Sequence, residues 1–349
     1  MKKILITGSG GLIGSEAARM YISRGHNVLG VDNNMRKVFF GEKGDVTTSI
    51  KKLIEMKGDY SHSYIDIRDR GIVDYFFKHT KIDAIIHCAA QPSHDLAATI
   101  PFDDFETNAV GTLNLLEATR KHCPEAAFVY VSTNKVYGDR PNTIQLEEHD
   151  LRWDLPSSSK DGFDESLSID NCMHSLFGVS KASADLLAQE YGKYFKMNVG
   201  VFRGGCLTGP NHAGVELHGF LSYIIKCAMH DQKYTVFGYK GKQVRDQIHS
   251  SDVISAFDCF INNPKQGEVY NIGGGRSNSA SILEIIALIK EVSGKELRWT
   301  YSDIARKGDH ICYITNMRKF MIDYPEWKMK MSLKDIVKEI VENERHNVK

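Results

Sequence analysis

Charge of one sign is missing from this 349-residue chain: Lys+Arg and Asp+Glu are both 44, so the formal net charge is zero. Such a balance lacks the electrostatic footprint of a general nucleic-acid or acidic-membrane binder, and it implies small-molecule or protein partners instead. Cysteine pairing is missing too. The seven cysteines (Cys88, Cys123, Cys172, Cys206, Cys227, Cys259 and Cys312) are odd in number, scattered, and never spaced Cys-x-x-Cys. That pattern predicts reduced thiols in a cytoplasmic protein, with no disulfide framework and no bound metal. No apolar run reaches the ~18 uncharged residues a membrane-spanning helix needs. Met1-Lys2-Lys3 opens like a signal peptide, but Thr7 and the glycines that follow break the apolar run, and none is expected. Internal repeats and low-complexity linkers are absent as well.

What is present is an ordinary globular composition, 42% apolar and 25% charged, in a chain long enough for one large or two ordinary domains. Short β-branched runs at Lys3–Thr7, Val28–Asp32, Ala84–His87, Phe128–Ser132 and Val199–Arg203 alternate with helical patterns such as Ser15–Arg24 and Ala109–Lys121. This alternation predicts an α/β fold with a doubly wound parallel sheet. After about residue 205 two amphipathic helices stand out. One carries Ile282, Ile285, Ile286 and Ile289 behind a Ser281-x-x-Glu284 capping box, and the other carries Leu333, Ile336, Val337, Ile340 and Val341. Both stripes read as core surfaces. Residues 139–173 lack periodicity and are expected to form a surface loop near the site.

The first strand runs into Thr7-Gly8-Ser9-Gly10-Gly11-Leu12-Ile13-Gly14, which opens a helix. Gly8 allows a tight turn, Gly11 lets backbone amides approach a pyrophosphate, and Gly14 lets helix and strand pack closely. The helix start, including Leu12 and Ile13, offers its N–H groups and dipole to phosphates. The second strand ends in Asp32-Asn33, where a carboxylate can accept ribose hydroxyls and repel a 2′-phosphate, so NAD is favoured over NADP. Arg36 nearby softens that discrimination.

With Gly-x-x-Gly-x-x-Gly spacing, the chain resembles the extended short-chain dehydrogenase/reductase family of nucleotide-sugar enzymes, a resemblance covering nearly its whole length. It implies a Rossmann domain over 1–203, rejoined by about 242–272. Residues 204–349 would mainly form a smaller substrate-binding lobe that closes over a nucleotide-diphosphate sugar. Asp66-Ile67 resembles the family's pair against the adenine, and Ala89-Ala90-Gln91 its cofactor-lining loop after the fourth strand. Asn108-x-x-Gly111-Thr112 resembles its next helix signature. Relatives commonly form homodimers by packing two helices into a bundle, so a homodimer is expected by analogy.

The family transfers a hydride between a sugar carbon and the nicotinamide with a Ser/Thr and a Tyr-x-x-x-Lys pair. Val131-Ser132-Thr133 resembles the first element, with Ser132 at the cofactor and Thr133 the hydroxyl that orients the reacting sugar oxygen. Lys181 matches the lysine that holds the nicotinamide ribose. The tyrosine position holds Phe177, which has no ionisable oxygen. Three readings follow: a subgroup in which another residue moves the proton, a Tyr→Phe change that stops turnover, or a non-catalytic binder. His174, Cys172, His94 and Cys206 are the candidate substitutes.

The 4,6-dehydratases of the family carry Asp-Glu directly after the Thr, where this chain has Asn134-Lys135, which argues against dehydration. The string Ser132–Asp139 and Gly241-Lys242-Gln243-Val244-Arg245-Asp246-x-x-His249 resemble instead the CDP-tyvelose/CDP-paratose 2-epimerase branch. By that resemblance Asn211, Glu216, His218, Arg245 and Arg306 bind the substrate, with the Arg245 fork on the diphosphate. The implied reaction is epimerisation through a transient keto sugar. A nucleotide-sugar dehydrogenase or decarboxylase, or a catalytically disabled binder, are the alternatives.

Overall fold

The computed structural model describes residues 1–210, 219–305 and 308–347. The chain divides into two compact units. The first comprises Met1–Val136, Ser175–Arg203 and Val253–Tyr270; the second comprises Tyr137–His174, Gly204–Asp252 and Asn271–Lys349.

In the first unit a seven-stranded sheet is built from β1 (Lys3–Thr7), β2 (Asn27–Val31), β3 (Tyr60–Ser63), β4 (Ala84–His87), β5 (Ala127–Thr133), β6 (Val199–Gly204) and β7 (Glu268–Ile272). Its order is β7-β6-β5-β4-β1-β2-β3, and the pairs from β5 through β3 are parallel. Every residue of β4 is buried, as continuous apolar runs in a sheet covered on both faces require. The strand order reverses between β4 and β1. At such a switch point the two following loops diverge and leave a crevice at the carboxyl ends of the strands.

The short polar strand Tyr60–Ser63 has no hydrophobic alternation to announce it. It forms because its backbone pairs with β2, and Gly30 leaves room for the Tyr60 ring: a Cβ there would meet the Tyr60 hydroxyl at 2.1 Å. The first helix, Leu12–Ser23, starts earlier than its apolar spacing suggests, directly after Gly11. The helix Gly111–His122 is preceded by one π turn, Glu106–Val110, which carries Asn108.

The second unit has its own core. The helices Phe220–Met229, Ile282–Ser293 and Leu333–Asn347 bring together Ile224, Ile285, Ile289, Ile336, Val337 and Ile340. Ser281 and Glu284 form the expected capping box, and Gly294 ends that helix in the left-handed conformation. Segment Tyr137–His174 belongs to this unit and is, as expected, largely irregular and at the surface, with Pro141, Leu155 and Phe163 as its buried anchors. The Trp153 N–H donates to the Lys242 carbonyl, while Phe163 exchanges backbone hydrogen bonds with Ile314 and Asn316. It lacks periodicity because its partners are single backbone groups far along the chain, each met by an isolated residue.

Candidate cofactor site and reaction centre

The glycine loop after β1 lies against the loop after β4. Gly8 has φ +66°, and a Cβ on it would meet the Ala89 backbone nitrogen at 2.8 Å; one on Gly14 would stand 2.1 Å from the Gly8 carbonyl oxygen. Both glycines are therefore demanded by the chain itself. Gly11 differs. Its φ of −74° and ψ of 177° suit any residue, and a Cβ there would meet only the Gly8 oxygen at 3.4 Å, an ordinary contact. Among the described residues nothing requires glycine at 11. The open face it leaves lies at the helix start, where no side chain caps the first N–H groups. Leu12 is half-buried there and Ile13 buried.

His87 locks this arrangement. The Thr112 hydroxyl donates to the Asn108 carbonyl (2.6 Å), so it accepts from His87 Nε2 (2.9 Å). His87 Nδ1 then accepts from the Thr7 hydroxyl (2.7 Å), whose oxygen accepts the Ala89 N–H (3.2 Å). Burial, with the nearby Lys181 charge, pushes the imidazole down to about 3, so it is a neutral pin between β1, β4 and the next helix.

Asp32 sits at the end of β2 with one carboxylate oxygen accepting the Gly10 N–H (2.9 Å) and the other the Asn34 N–H (2.8 Å). Asn33 caps the following turn by accepting the Met35 N–H. The Arg36 guanidinium lies over the Phe40 ring, 5.1 Å from its centroid. Asp66 is engaged by Arg68, which also reaches Asp103. Partial burial pushes the Asp66 carboxyl up, but the Arg68 hydrogen bonds outweigh this and hold it below the usual range. Ile67 packs on Gly111, where a Cβ would meet its Cδ1 at 2.7 Å. Ala89 and Ala90 are half-buried beside Gln91, whose N–H donates to Asn108 Oδ1 (2.9 Å). Gln91 and Asn108 both donate to the buried Asp104, and Asn108 also donates to Ser180.

The reaction-centre residues converge where β5 meets the helix Ser175–Tyr194. Lys181 Nζ donates to the Val131 carbonyl (2.8 Å) and lies 4.5 Å from the Tyr130 ring centroid. Desolvation lowers its pKa to about 8, against the opposing pull of the nearby Asp185 and Asp104 carboxyls. Thr133 ends β5, its oxygen accepting the Lys135 N–H (3.2 Å). Phe177 lies one turn before Lys181 on the same helix and is buried. Ser132 donates to Asp185 (2.6 Å), which is also paired with the buried Arg203.

His94 begins a short helix after Gln91, in the first unit. In the second unit, Cys172 Sγ lies 3.6 Å from His174 Nε2, and Cys206 is half-buried in the strand Cys206–Thr208. Arg245 is buried, Nη1 donating to the Val244 carbonyl and Nη2 to Asp309 (2.5 Å) and the His310 carbonyl. Asp309 closes the Arg306-x-x-Asp309 motif, so one expected substrate motif supplies the counter-charge for the other. Asn211, Glu216, His218 and Arg306 lie outside the described residues. Among the described residues, which include all seven cysteines, no disulfide forms. Sequence reasoning missed Asp104, Tyr130, Asp185 and Arg203. Only Asp185 had a signal, its position one helical turn after Lys181.

A seven-stranded sheet with a glycine loop at its switch point and a Lys on the helix beside β5 defines a dinucleotide-binding oxidoreductase or isomerase architecture. Residues 4–273 match the NAD dependent epimerase/dehydratase family, and the chain belongs to that family. It is 31% identical over 345 residues to CDP-paratose 2-epimerase of Salmonella typhi, covering 97% of this chain and 98% of that one. It is 27% identical to the human dTDP-D-glucose 4,6-dehydratase, covering 99% and 91%. A crystal structure of a tyrosine-to-phenylalanine variant of UDP-glucuronic acid 4-epimerase from Bacillus cereus, in complex with a fluorinated UDP-sugar and NAD, superposes with TM-score 0.80. The two chains are 25% identical, with 99% of each covered.

Proposed function

We propose that the protein is an NAD-dependent nucleotide-diphosphate-sugar epimerase, inverting carbon 2 of a CDP-hexose through a transient keto sugar. The full-length similarity to CDP-paratose 2-epimerase carries this reading. NAD fits the residues present, because Gly11 leaves an open face beside helix N–H groups that no side chain caps. Gly8, Gly11, Leu12, Ile13 and Gly14 would hold its pyrophosphate, and Asp32 and Asn33 its adenosine ribose. Asp66, Ile67, Ala89, Ala90, Gln91, Asn108 and Ser132 would line the remainder. Bound NAD supplies the carbon that takes the hydride from the sugar and returns it to the opposite face.

The chain's own contribution is orientation and charge. Thr133 hydrogen-bonds the reacting sugar oxygen, and the Lys181 ammonium holds the nicotinamide ribose. Asn211, Glu216, His218, Arg245 and Arg306 are the substrate contacts of this reading. Arg245 enters it as a cation already oriented by Asp309. Phe177 offers no oxygen for the sugar hydroxyl's proton, which favours a second reading, that of a nucleotide-sugar binder without turnover.

The homodimer belongs to the same proposal. The segment 101–113 and the helix Ser175–Tyr194 pack together in the first unit and expose Phe102, Phe105, Leu113, Leu176, Val179 and Leu186. A second copy of this face covers it isologously.

The deciding experiment incubates the protein and its Phe177→Tyr variant with CDP-, UDP- and GDP-hexoses in heavy water, followed by NMR. Epimer without solvent deuterium at the inverted carbon is expected. Deuterium there would mean proton abstraction beside a ketone and would sink the proposed chemistry. Net NADH accumulation would favour a dehydrogenase or decarboxylase. Activity confined to Phe177→Tyr would mark the chain as a version disabled by its phenylalanine, and no product from either protein would favour the binder reading.

A further inference from the structure

Two successive residues of β5 are held by two successive turns of one helix. Lys181 Nζ donates to the Val131 carbonyl (2.8 Å), and Asp185, four residues later, accepts the Ser132 hydroxyl (2.6 Å). Asp185 is wholly buried and fully engaged: Arg203 donates to it through Nε (3.0 Å) and Nη2 (2.9 Å), and Gln189 through Nε2 (2.7 Å). These bonds join β5, β6 and the helix around a single carboxylate.

We propose that Asp185 is a positioning residue: its buried carboxylate fixes the register of Lys181 and Thr133 and supplies the negative charge that keeps the Lys181 side chain an ammonium. The inference rests on the NAD-binding reading only in its consequence for the cofactor. Other groups face Lys181 as well. Asp104 on the helix Pro101–Phe105 and Cys88 after β4 act on it, His87 is buried nearby, and the Tyr130 ring lies against the ammonium. Of these, Cys88 is pushed up to about 12 by burial and stays a neutral thiol, and His87 stays neutral. Burial pushes the Asp104 carboxyl upward, which weakens it as a counter-charge near neutrality. Asp185 is different because two guanidinium N–H groups, an amide and a hydroxyl all donate to its two oxygens. Arg203 partly offsets its field, but Asp185 lies one turn from Lys181 on the same helix and is foremost among the charges that act to raise its pKa.

Removing Asp185 alone would leave Arg203 buried without a counter-charge, so the test replaces both. In the full-length Asp185→Asn/Arg203→Gln protein the side-chain shape and most hydrogen bonds survive while both charges go. The Lys181 titration is read by NMR of 13C-labelled lysine, with the resonance assigned by its loss in Lys181→Arg. The midpoint is expected to fall by about one pH unit from the parent value, and NAD affinity at pH 7.5, measured by calorimetry, to fall severalfold. Asp185→Glu, which keeps the charge, is expected to restore the midpoint. Ser132→Ala, which cuts the strand link but no charge, is expected to leave it in place. An unchanged midpoint in the folded double variant overturns the proposal, as does an equal shift in Ser132→Ala or Asp185→Glu. If the double variant does not fold, the Glu and Ala variants decide alone. If the parent protein binds no NAD, the proposed function fails while the Lys181 midpoint still decides this inference.

Discussion

Substituting alanine at Gly11 and at Gly14 separates a glycine required by a ligand from one required by the fold. At Gly14 the new methyl would stand 2.1 Å from the Gly8 carbonyl oxygen and 2.9 Å from Ser9 Cα. Backbone must move, and overpacking of this kind costs roughly 1–3 kcal/mol or more. At Gly11 the backbone already has φ −74° and ψ 177°, which alanine adopts freely, and its methyl meets nothing closer than 3.4 Å. Gly11→Ala therefore restricts the unfolded chain without straining the folded one, and should be neutral or stabilising by about 0.5 kcal/mol. Its effect appears only with NAD present, because the methyl occupies the approach to the uncapped helix N–H groups. Urea unfolding of the free proteins, paired with calorimetric titration of NAD, makes the comparison. Gly14→Ala should lose stability and binding together, whereas Gly11→Ala should keep its stability and lose at least tenfold in affinity, about 1.4 kcal/mol. Unaltered NAD affinity in Gly11→Ala would refute the assignment of that face to the pyrophosphate.

Three further outcomes are expected. The Lys181 ammonium is held at about 8, below its ordinary value, so NAD affinity should weaken as pH rises through about 8; a flat calorimetric profile from pH 6.5 to 9.5 would contradict its role at the ribose. His87 is held at about 3 against an ordinary 6.5, so the unfolded chain binds a proton that the folded one refuses. Stability present above pH 6.5 should therefore be lost as pH falls toward 3, about 3 kcal/mol by pH 4, and NMR showing the His87 ring titrating near 6.5 would exclude a neutral pin. Leu186→Glu places a charge on the exposed apolar helix face and should shift the protein from dimer to monomer in light scattering; an unchanged mass for both proteins would remove that face from the interface.

The sequence by itself determined those parts of the protein whose physics is local. Buried parallel strands are written as short apolar runs, so β1 and β4 were legible to the residue. Gly8-x-x-Gly11-x-x-Gly14 encodes a turn, an open face and a close contact within seven residues. The Ser281–Glu284 box and the isoleucine stripe behind it encode a helix without reference to anything else. The absence of net charge already pointed to small or protein partners. The tertiary structure alone decided what depends on residues far apart in the chain. Tyr60–Ser63 is a strand only because β2 is beside it, and Tyr137–His174 acquires its shape from backbone partners such as Lys242 and Ile314. The spacing assigned Gly11 an open face and Gly14 a close contact, and the structure showed what each missing methyl would touch. Arg245 and Asp309 lie in separate motifs, and folding pairs them. Asp185 offered only its spacing, one helical turn after Lys181. Burial beside Ser132, Arg203 and Lys181 gave it a chemistry, because a carboxylate removed from water acts on the few charges within its reach.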